Sequence, residues 1–298
     1  MTIDSSRVCV VYNPGAGTRP RLPAESIDGP GIRELLARHG MDADVAETGS
    51  EAAGRQAARD AIGAGYRAVI AAGGDGTFDL VAGELIGRDT PVGILPLGRA
   101  MNVARSLSIP RELEQAAAIL AAGHERVIDV GVAGGRTFYE IASIGLSAEI
   151  LGLAHAFDKG HRGSVLELIR VLVRFRRTRV RLRLDDRVLE ARGLMLVVAN
   201  GPYTGMGLTL APDARLDDGE LDVRIFRRFS RLELLRHFWA IAFGRRAYAP
   251  QVTERRARRV VVETPGLACR ADATDLDRTP IEITVRPRAL RVIAPAAR

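Results

Sequence analysis

RAVIAAGGDGTFDLVAGEL (residues 67–85) decides how the N-terminal half of this chain folds. Its opening is a short apolar run that reads as a buried strand, and the segment from Thr77 to Ile86 reads as a helix. Between them stand Gly73-Gly74-Asp75-Gly76-Thr77. A strand that enters a glycine-rich turn and then a helix leaves several backbone N–H groups unpaired and pointing one way. With the helix dipole behind them they form an anion site. Glycine suits the turn because the backbone must adopt positive φ and let phosphate oxygens approach closely. Asp75 cannot itself welcome a phosphate. Two roles are open to it: holding a divalent metal, or accepting a proton or hydrogen bond from a hydroxyl substrate. Thr77 can cap the helix and donate to a phosphate oxygen. Taken alone, a Gly-Asp-Gly turn is also a common structural feature. The sequence has no GxxxxGK[ST] and no lysine near the loop, which excludes a P-loop mechanism. NPGAG after the first strand lacks the GxGxxG spacing, so nucleotide binding here would use backbone amides and hydroxyls.

Around that stretch the first ~125 residues alternate strand and helix signals, the pattern of a parallel sheet with flanking helices. RVCVVYN (7–13) reads as a strand ending in the turn-rich NPGAGTRP. GIRELLARHG (31–40) reads as a helix stopped by glycine, and DADVAET (42–48) as a strand. Ser50 offers an N-cap for the alanine-rich helix that follows. PVGILP (91–96) is another strand, and AMNVARSL (100–107) and RELEQAAAILAAG (111–123) are helices.

From about residue 125 the pattern changes to short strands separated by turns, which predicts an antiparallel β-rich sandwich. The strands expected are ERVIDVGVA, RTFYEIAS, RVRLRLDDRVLEA, GLMLVVAN, ELDVRIF, RRVVVET, LACRAD, IEITVRP and LRVIAP, with a hairpin at Asp185-Asp186. Two helices interrupt them: SVLELIRVLVRFRR (164–177) and SRLELLRHFWAIAFGRR (230–246), the latter with the only tryptophan, Trp239. Their apolar stripes suit core packing, or a membrane surface. The expected division is 1–125 as a nucleotide-binding α/β domain and 126–298 as a β-rich domain, with the last segment able to pack back on the first.

The chain has 298 residues, 47% hydrophobic and 27% charged, the balance of a soluble globular protein. No run of 18 apolar residues and no signal peptide is present, so a cytoplasmic location is expected, with attachment to the inner membrane face allowed. Cys9 and Cys269 have no metal-ligand spacing and read as reduced core thiols. The histidines at 39, 124, 155, 161 and 237 form no zinc motif. Net charge is +7, almost wholly from arginine; Lys159 is the only lysine. Arginines cluster at 174–184, 226–231, 244–246 and 255–259, which suits an anionic partner such as a phospholipid surface. Arg179, Arg181 and Arg183 alternate with apolar residues, as either a solvated sheet face or a functional patch. No nucleic-acid motif accompanies them and aromatics are 5%, so no nucleic-acid partner is expected.

Seven segments in order carry a resemblance. They are Asn13-Pro14 with Ala16-Gly17, Gly73–Thr77, Gly93–Gly98, Ser143–Leu146, Val198–Gly201, Ala211–Leu221, and Thr279-Pro280 with Pro287–Val292. Together they resemble the bacterial diacylglycerol kinase and lipid kinase family, which includes sphingosine kinases and is distantly similar to NAD kinases. The resemblance implies ATP-dependent, Mg²⁺-dependent phosphorylation of a lipid hydroxyl such as diacylglycerol's, in phospholipid biosynthesis, at a membrane surface. Oligomeric state stays open, a homodimer included. By position, Asn13, Thr48, Gly73, Gly74, Asp75, Gly76 and Thr77 would contact nucleotide, with Arg99 either binding phosphate as a cation or filling the pocket. The carboxylate of Asp218 and the carbonyls of Arg215 and Glu220 would hold a structural Mg²⁺; without the resemblance, LDDGELD reads as a plain Asp-Gly turn. Candidates for catalytic work are Asp75, Asp272 and Asp275.

Three positions depart from the family pattern. Asp272-Ala273-Thr274 stands where Asp-Gly-Glu is usual, so Thr274 replaces the glutamate proposed as proton acceptor, and Asp275 is one residue further on. Gly98-Arg99-Ala100-Met101-Asn102 stands for Gly-Thr-Ala-Asn-Asp, and Asp79-Leu80 for Asn-Glu. The alternative function is therefore a catalytically weak or inactive nucleotide- or lipid-binding member of the same family.

Overall fold

The computed structural model describes residues 7–15, 27–158, 170–171, 178–193, 195–205, 207–228 and 251–296. They divide into two compact units, one within 1–128 and 288–298 and the other within 129–287.

The first unit is built on four parallel strands in the order β2-β1-β3-β4. These are β1 (Arg7–Tyr12), β2 (Asp42–Glu47), β3 (Ala68–Gly73) and β4 (Val92–Pro96). Every residue of β3 is buried, as expected for a parallel strand covered on both faces. The helices are α1 (Gly29–Arg38), α2 (Glu51–Ala64), α3 (Asp75–Leu85), α4 (Asn102–Ser106) and α5 (Leu113–Ala122). Ser50 caps α2 by accepting from the Ala53 amide at 3.3 Å, and Gly65 ends it at a φ of 75°. Asp28, which precedes the expected start, caps α1 through the Gly31 amide at 2.9 Å, so α1 begins at Gly29. The C-terminal segment belongs to this unit: Val292 pairs with Val92 in parallel, and the Ala294 amide donates to the His124 carbonyl at 3.0 Å.

The second unit contains two antiparallel sheets. One runs β14-β13-β10-β7-β16-β17: β14 (Gln251–Ala257), β13 (Leu221–Arg228), β10 (Met195–Ala199), β7 (Ile141–Gly145), β16 (Cys269–Ala271) and β17 (Thr274–Leu276). The other holds β15 (Arg259–Val262), β8 (Thr178–Leu184) and β9 (Arg187–Gly193) beside the start of β18 (Ile281–Ile293). Inward residues of the two sheets share one core, with Ile144, Val198, Val223 and Ala271 packed among Val180, Leu182, Val260 and Ile283. This is the sandwich expected from the strand pattern. Smaller pieces complete it: β5 (Glu125–Ala133), which enters from the first unit, β6 (Arg136–Phe138), β11 (Tyr203–Thr204) and β12 (Leu208–Thr209). On the other face of the first sheet Ile141, Met195, Val197 and Phe226 pack against Leu146 and Ile150 of α6 (Leu146–Asp158).

Several elements differ from expectation. Helix α6 and strands β11, β12, β14 and β17 occupy stretches read without any element. RTFYEIAS splits into β6 and β7, and IEITVRP with LRVIAP forms one strand of 13 residues. The helix read over 230–246 lies outside the described residues, as do the one over 164–177 (except Arg170 and Val171), Trp239 and Lys159.

Among the arginine clusters, the alternation in β8 resolves as a solvated face. Val180, Leu182 and Leu184 are buried, whereas Arg181 and Arg183 pair with Glu263 at 2.9 and 2.6 Å. Cys9 and Cys269 are free and buried, and burial pushes each thiol up to about 11.

At the β1–β2 edge, the Tyr66 hydroxyl donates to Asp44 Oδ2 at 2.6 Å and Arg7 reaches the same oxygen at 2.6 Å. Arg7 also stacks 5.0 Å from the Tyr66 ring centroid. The Tyr66 hydrogen bond, then Arg7, hold the Asp44 carboxyl below its ordinary 3.8. A depressed folded value stabilises above the unfolded value and is lost as pH falls through the folded one. Asp44→Asn is therefore expected to lower Tm at pH 7 by no more than about 3 °C, since the pair is half-exposed. The deficit should shrink as pH falls below the carboxyl's ordinary 3.8, and also in 1 M salt, as thermal melts of both proteins would record.

Candidate functional site

The residues expected to contact nucleotide gather at the C-terminal ends of the parallel strands, where open α/β sheets take their ligands. Asn13 follows β1, Thr48 follows β2 and Gly73 ends β3. The Asn13 amide donates to the Ala72 carbonyl at 3.1 Å, and its Oδ1 accepts from the Gly15 amide at 3.0 Å. Thr48 is buried and bonds the Tyr12 carbonyl through both its amide (2.8 Å) and its hydroxyl (3.2 Å). That hydroxyl serves to join β2 to β1.

Gly74 is the N-cap of α3, in an extended conformation, and no side chain caps the helix. Its first-turn amides are therefore left for an external acceptor or solvent. Thr77 is buried beneath the turn, where a Cβ on Gly73 would lie 2.2 Å from its Oγ1. Gly76 is exposed.

The loop after β4 folds onto this turn. Leu97 and Gly98 amides both donate to the Gly73 carbonyl at 3.0 Å. A Cβ on Gly98 would sit 2.4 Å from the Gly74 Cα, so only glycine permits this approach. Asp75 then reaches across: Oδ2 accepts from the Met101 amide at 2.9 Å and Oδ1 from the Asn102 amide at 2.8 Å. The carboxylate thus caps α4, whose own N-cap Met101 stands at a φ of 52° and offers no side-chain cap. A left-handed non-glycine residue costs of order 1–3 kcal/mol and persists where its surroundings fix it. Burial pushes the Asp75 carboxyl above its ordinary value, and the amides of Met101, Asn102, Val103 and its own residue pull it back. Arg111 Nη2 donates to the Gly98 carbonyl at 2.9 Å. Arg99, half-buried between these anchors, has no ion-pair partner among the described residues.

In the second unit, Asp272 sits at a φ of 45° in the β16–β17 hairpin. Its Oδ2 accepts from the Tyr139 amide at 2.8 Å and its Oδ1 from the Glu140 and Ile141 amides at 3.1 and 3.0 Å. Asn200 braces the same segment, donating to the Tyr139 and Asp129 carbonyls at 3.3 and 3.1 Å. Arg270 is buried and wraps the hairpin: Nε donates to the Asp272 carbonyl at 3.1 Å, Nη2 to the Ala273 carbonyl at 2.5 Å, and Nη1 to Asp275 Oδ1. The Asp275 side chain is otherwise 79% exposed. Thr274 pairs with Ala271, opposite in facing to Asp275.

The turn from Arg215 to Glu220 is held from below by Asp129, a wholly buried carboxylate that accepts from the Gly219 amide at 2.6 Å. Asp218 Oδ1 accepts from the Glu220 amide at 3.1 Å, whereas its buried Oδ2 accepts no hydrogen bond. The nearest cation to that oxygen is Arg256 Nη1 at 3.8 Å, which lies between Asp218 and Asp222. Burial pushes Asp222 up, with Arg256 opposing and Asp218 reinforcing. No group of three or more His, Cys, Asp or Glu side chains suited to a metal occurs among the described residues. A buried carboxylate oxygen without a donor fits a hard cation whose remaining ligands are carbonyls.

Sequence reasoning passed over Arg111, Asp129 and Arg270. A lone arginine or aspartate carries no local pattern, and each acts on backbone far away in the chain.

The Diacylglycerol kinase catalytic domain model matches residues 7–133, and the YegS C-terminal NAD kinase beta sandwich-like domain model matches residues 142–294. A probable lipid kinase YegS-like of Pseudomonas aeruginosa is 32% identical over 263 residues, 86% of this chain and 86% of that protein. A diacylglycerol kinase of Mycobacterium tuberculosis is 30% identical over 298 residues, 97% of this chain and 95% of the relative. Among solved structures, a putative diacylglycerol kinase from Bacillus anthracis superposes with a TM-score of 0.78 at 22% identity, covering 98% of this chain and 96% of the other.

Two substitutions test the geometry. Gly98→Ala should destabilise the first unit by about 1–3 kcal/mol, because the clash is with backbone. Asp272→Ala should cost about 3 kcal/mol by leaving three amides without an acceptor, and Asp272→Asn distinctly less. Urea unfolding measures both.

Proposed function

This chain belongs to the diacylglycerol kinase and YegS lipid kinase family, and we propose that it transfers the γ-phosphoryl group of ATP to the hydroxyl of a lipid such as diacylglycerol. The observation that carries this reading is the pair of family domains, in order over nearly the whole chain, with a named diacylglycerol kinase at 30% identity over 97% of it.

Phosphoryl transfer passes through a loose transition state whose catalysis is mostly positioning and electrostatics. The uncapped amides at the start of α3 take phosphate oxygens, aided by the helix dipole. Arg99 supplies a cation to the same charge. Asn13 and Thr48 border the nucleotide at the neighbouring strand ends. Asp275, with one oxygen on Arg270 and the other toward solvent, is the carboxylate of the hairpin open to the lipid's proton. Asp272 has both oxygens committed to backbone amides and holds the hairpin in place. A Mg²⁺ held by Asp218 and the carbonyls of Arg215 and Glu220 would neutralise the acidic turn and tie its ends together. Among the described residues no helix is long and apolar enough to cross a membrane, and the lipid would be met at a membrane surface.

A second reading, a weakly active or inactive binding member, rests on one observation. Thr274 stands at the expected glutamate, and the two carboxylates beside it are engaged, one by three amides and the other by a buried arginine.

Incubation of the protein with labelled ATP, Mg²⁺ and a lipid panel separates the readings. Labelled phospholipid is the expected product, and Thr274→Glu should raise its rate, by up to about 10²-fold if a base is all that is missing. No product from any lipid with either folded protein would remove the kinase reading; ATP binding without turnover would leave the second.

A further inference from the structure

Two side chains grip the loop between β4 and α4 from opposite ends. Asp75, from the first turn of α3, spends both carboxylate oxygens on the amides of Met101 and Asn102, at 2.9 and 2.8 Å. Arg111, an exposed residue ahead of α5, donates to the Gly98 carbonyl at 2.9 Å. Between these anchors stand Arg99 and Ala100, and Met101 is kept in the left-handed region at a φ of 52°. The loop has no freedom to shift toward the turn, because Gly98 already lies against the Gly74 Cα.

We propose that Asp75 and Arg111 are positioning residues that clamp the Gly98–Asn102 loop and thereby present Arg99 to the phosphates of the nucleotide. Asp75 works through that loop, not as proton acceptor and not as metal ligand. Its hydrogen-bonding direction supports this: a carboxylate that accepts one amide on each oxygen is a cap. Arg99 has the complementary property of a half-buried guanidinium with no acidic partner among the described residues. A cation held in a fixed position repays its ordering only when an anion arrives. The ligand named here rests on the kinase reading above; the clamp itself does not.

The test uses the full chain and two readouts. Calorimetric titration with MgATP compares wild type, Asp75→Asn, Arg111→Ala, Arg99→Ala and the two double variants that contain Arg99→Ala. Each single change should weaken ATP about tenfold, and each double should be no weaker than Arg99→Ala alone within about twofold. Additive losses overturn the proposal, as does Asp75→Asn that keeps ATP affinity while abolishing turnover. Amide hydrogen exchange supplies the second readout. Met101 and Asn102 should exchange at least about tenfold faster in Asp75→Asn than in wild type, and unchanged rates overturn the clamp. If wild type binds no ATP, the kinase reading and the ligand assigned to Arg99 both fall, and the exchange rates alone decide the clamp.

Discussion

The site in the first unit depends on one close approach, that of the Gly98 backbone to the Gly74 backbone. With a side chain at 98 the two chains could not touch, since its first carbon would fall 2.4 Å from the Gly74 Cα. Because they touch, the Gly73 carbonyl can bind two successive amides of the loop, and the Asp75 carboxylate is within reach of two more. Strand, glycine turn and following loop become one hydrogen-bonded body. The start of α3 is left without a side-chain cap, because the carboxylate nearest to it caps a different helix. An acid inside a glycine turn of the kind that suits anions looks paradoxical in sequence. It is reasonable once its charge is seen to be committed to backbone amides.

The parallel half was legible because its signals are local. Each strand is a short apolar run, and Ser50, Gly65 and Gly123 mark helix ends by their own conformational preferences. The antiparallel half was legible in type and less so in detail. LSAEILGLAHAFD follows directly on a strand with no turn signal, since Gly145 alone makes the junction at a φ of 74°. Helix α6 therefore went unread in the sequence. Likewise Pro287 and Arg288 look like a strand break, yet β18 continues through them, with Arg288 at a φ of 50° absorbing the irregularity.

The residues of the candidate site divide along the same line. Asn13, Thr48 and Gly73–Thr77 stand out in the sequence because they sit in motifs that adjoin strand ends. Arg111, Asp129 and Arg270 were not, because their roles are long-range: Asp129 serves the Gly219 amide and Arg111 the Gly98 carbonyl. Within the arginine clusters, Arg181, Arg183 and Arg259 pair with Glu263 and Glu282, so these three charges are met within the sheet. Arg99, which replaces a threonine of the family pattern, stands outside every cluster.

The β16–β17 hairpin separates two things that a motif joins. Its backbone is fixed by Asp272, whose carboxylate gathers three amides, and by Arg270, whose guanidinium takes two carbonyls of the turn. Neither of these depends on what side chain occupies position 274. Thr274 lies on a strand whose register with β16 is set by those bonds, so a longer acidic side chain there would project from the same backbone. Asp275 cannot take that direction, because alternate residues of a strand face opposite ways. It is also bound to the buried Arg270. The bonds that hold the hairpin are made by Asp272 and Arg270, and a threonine at 274 leaves them in place.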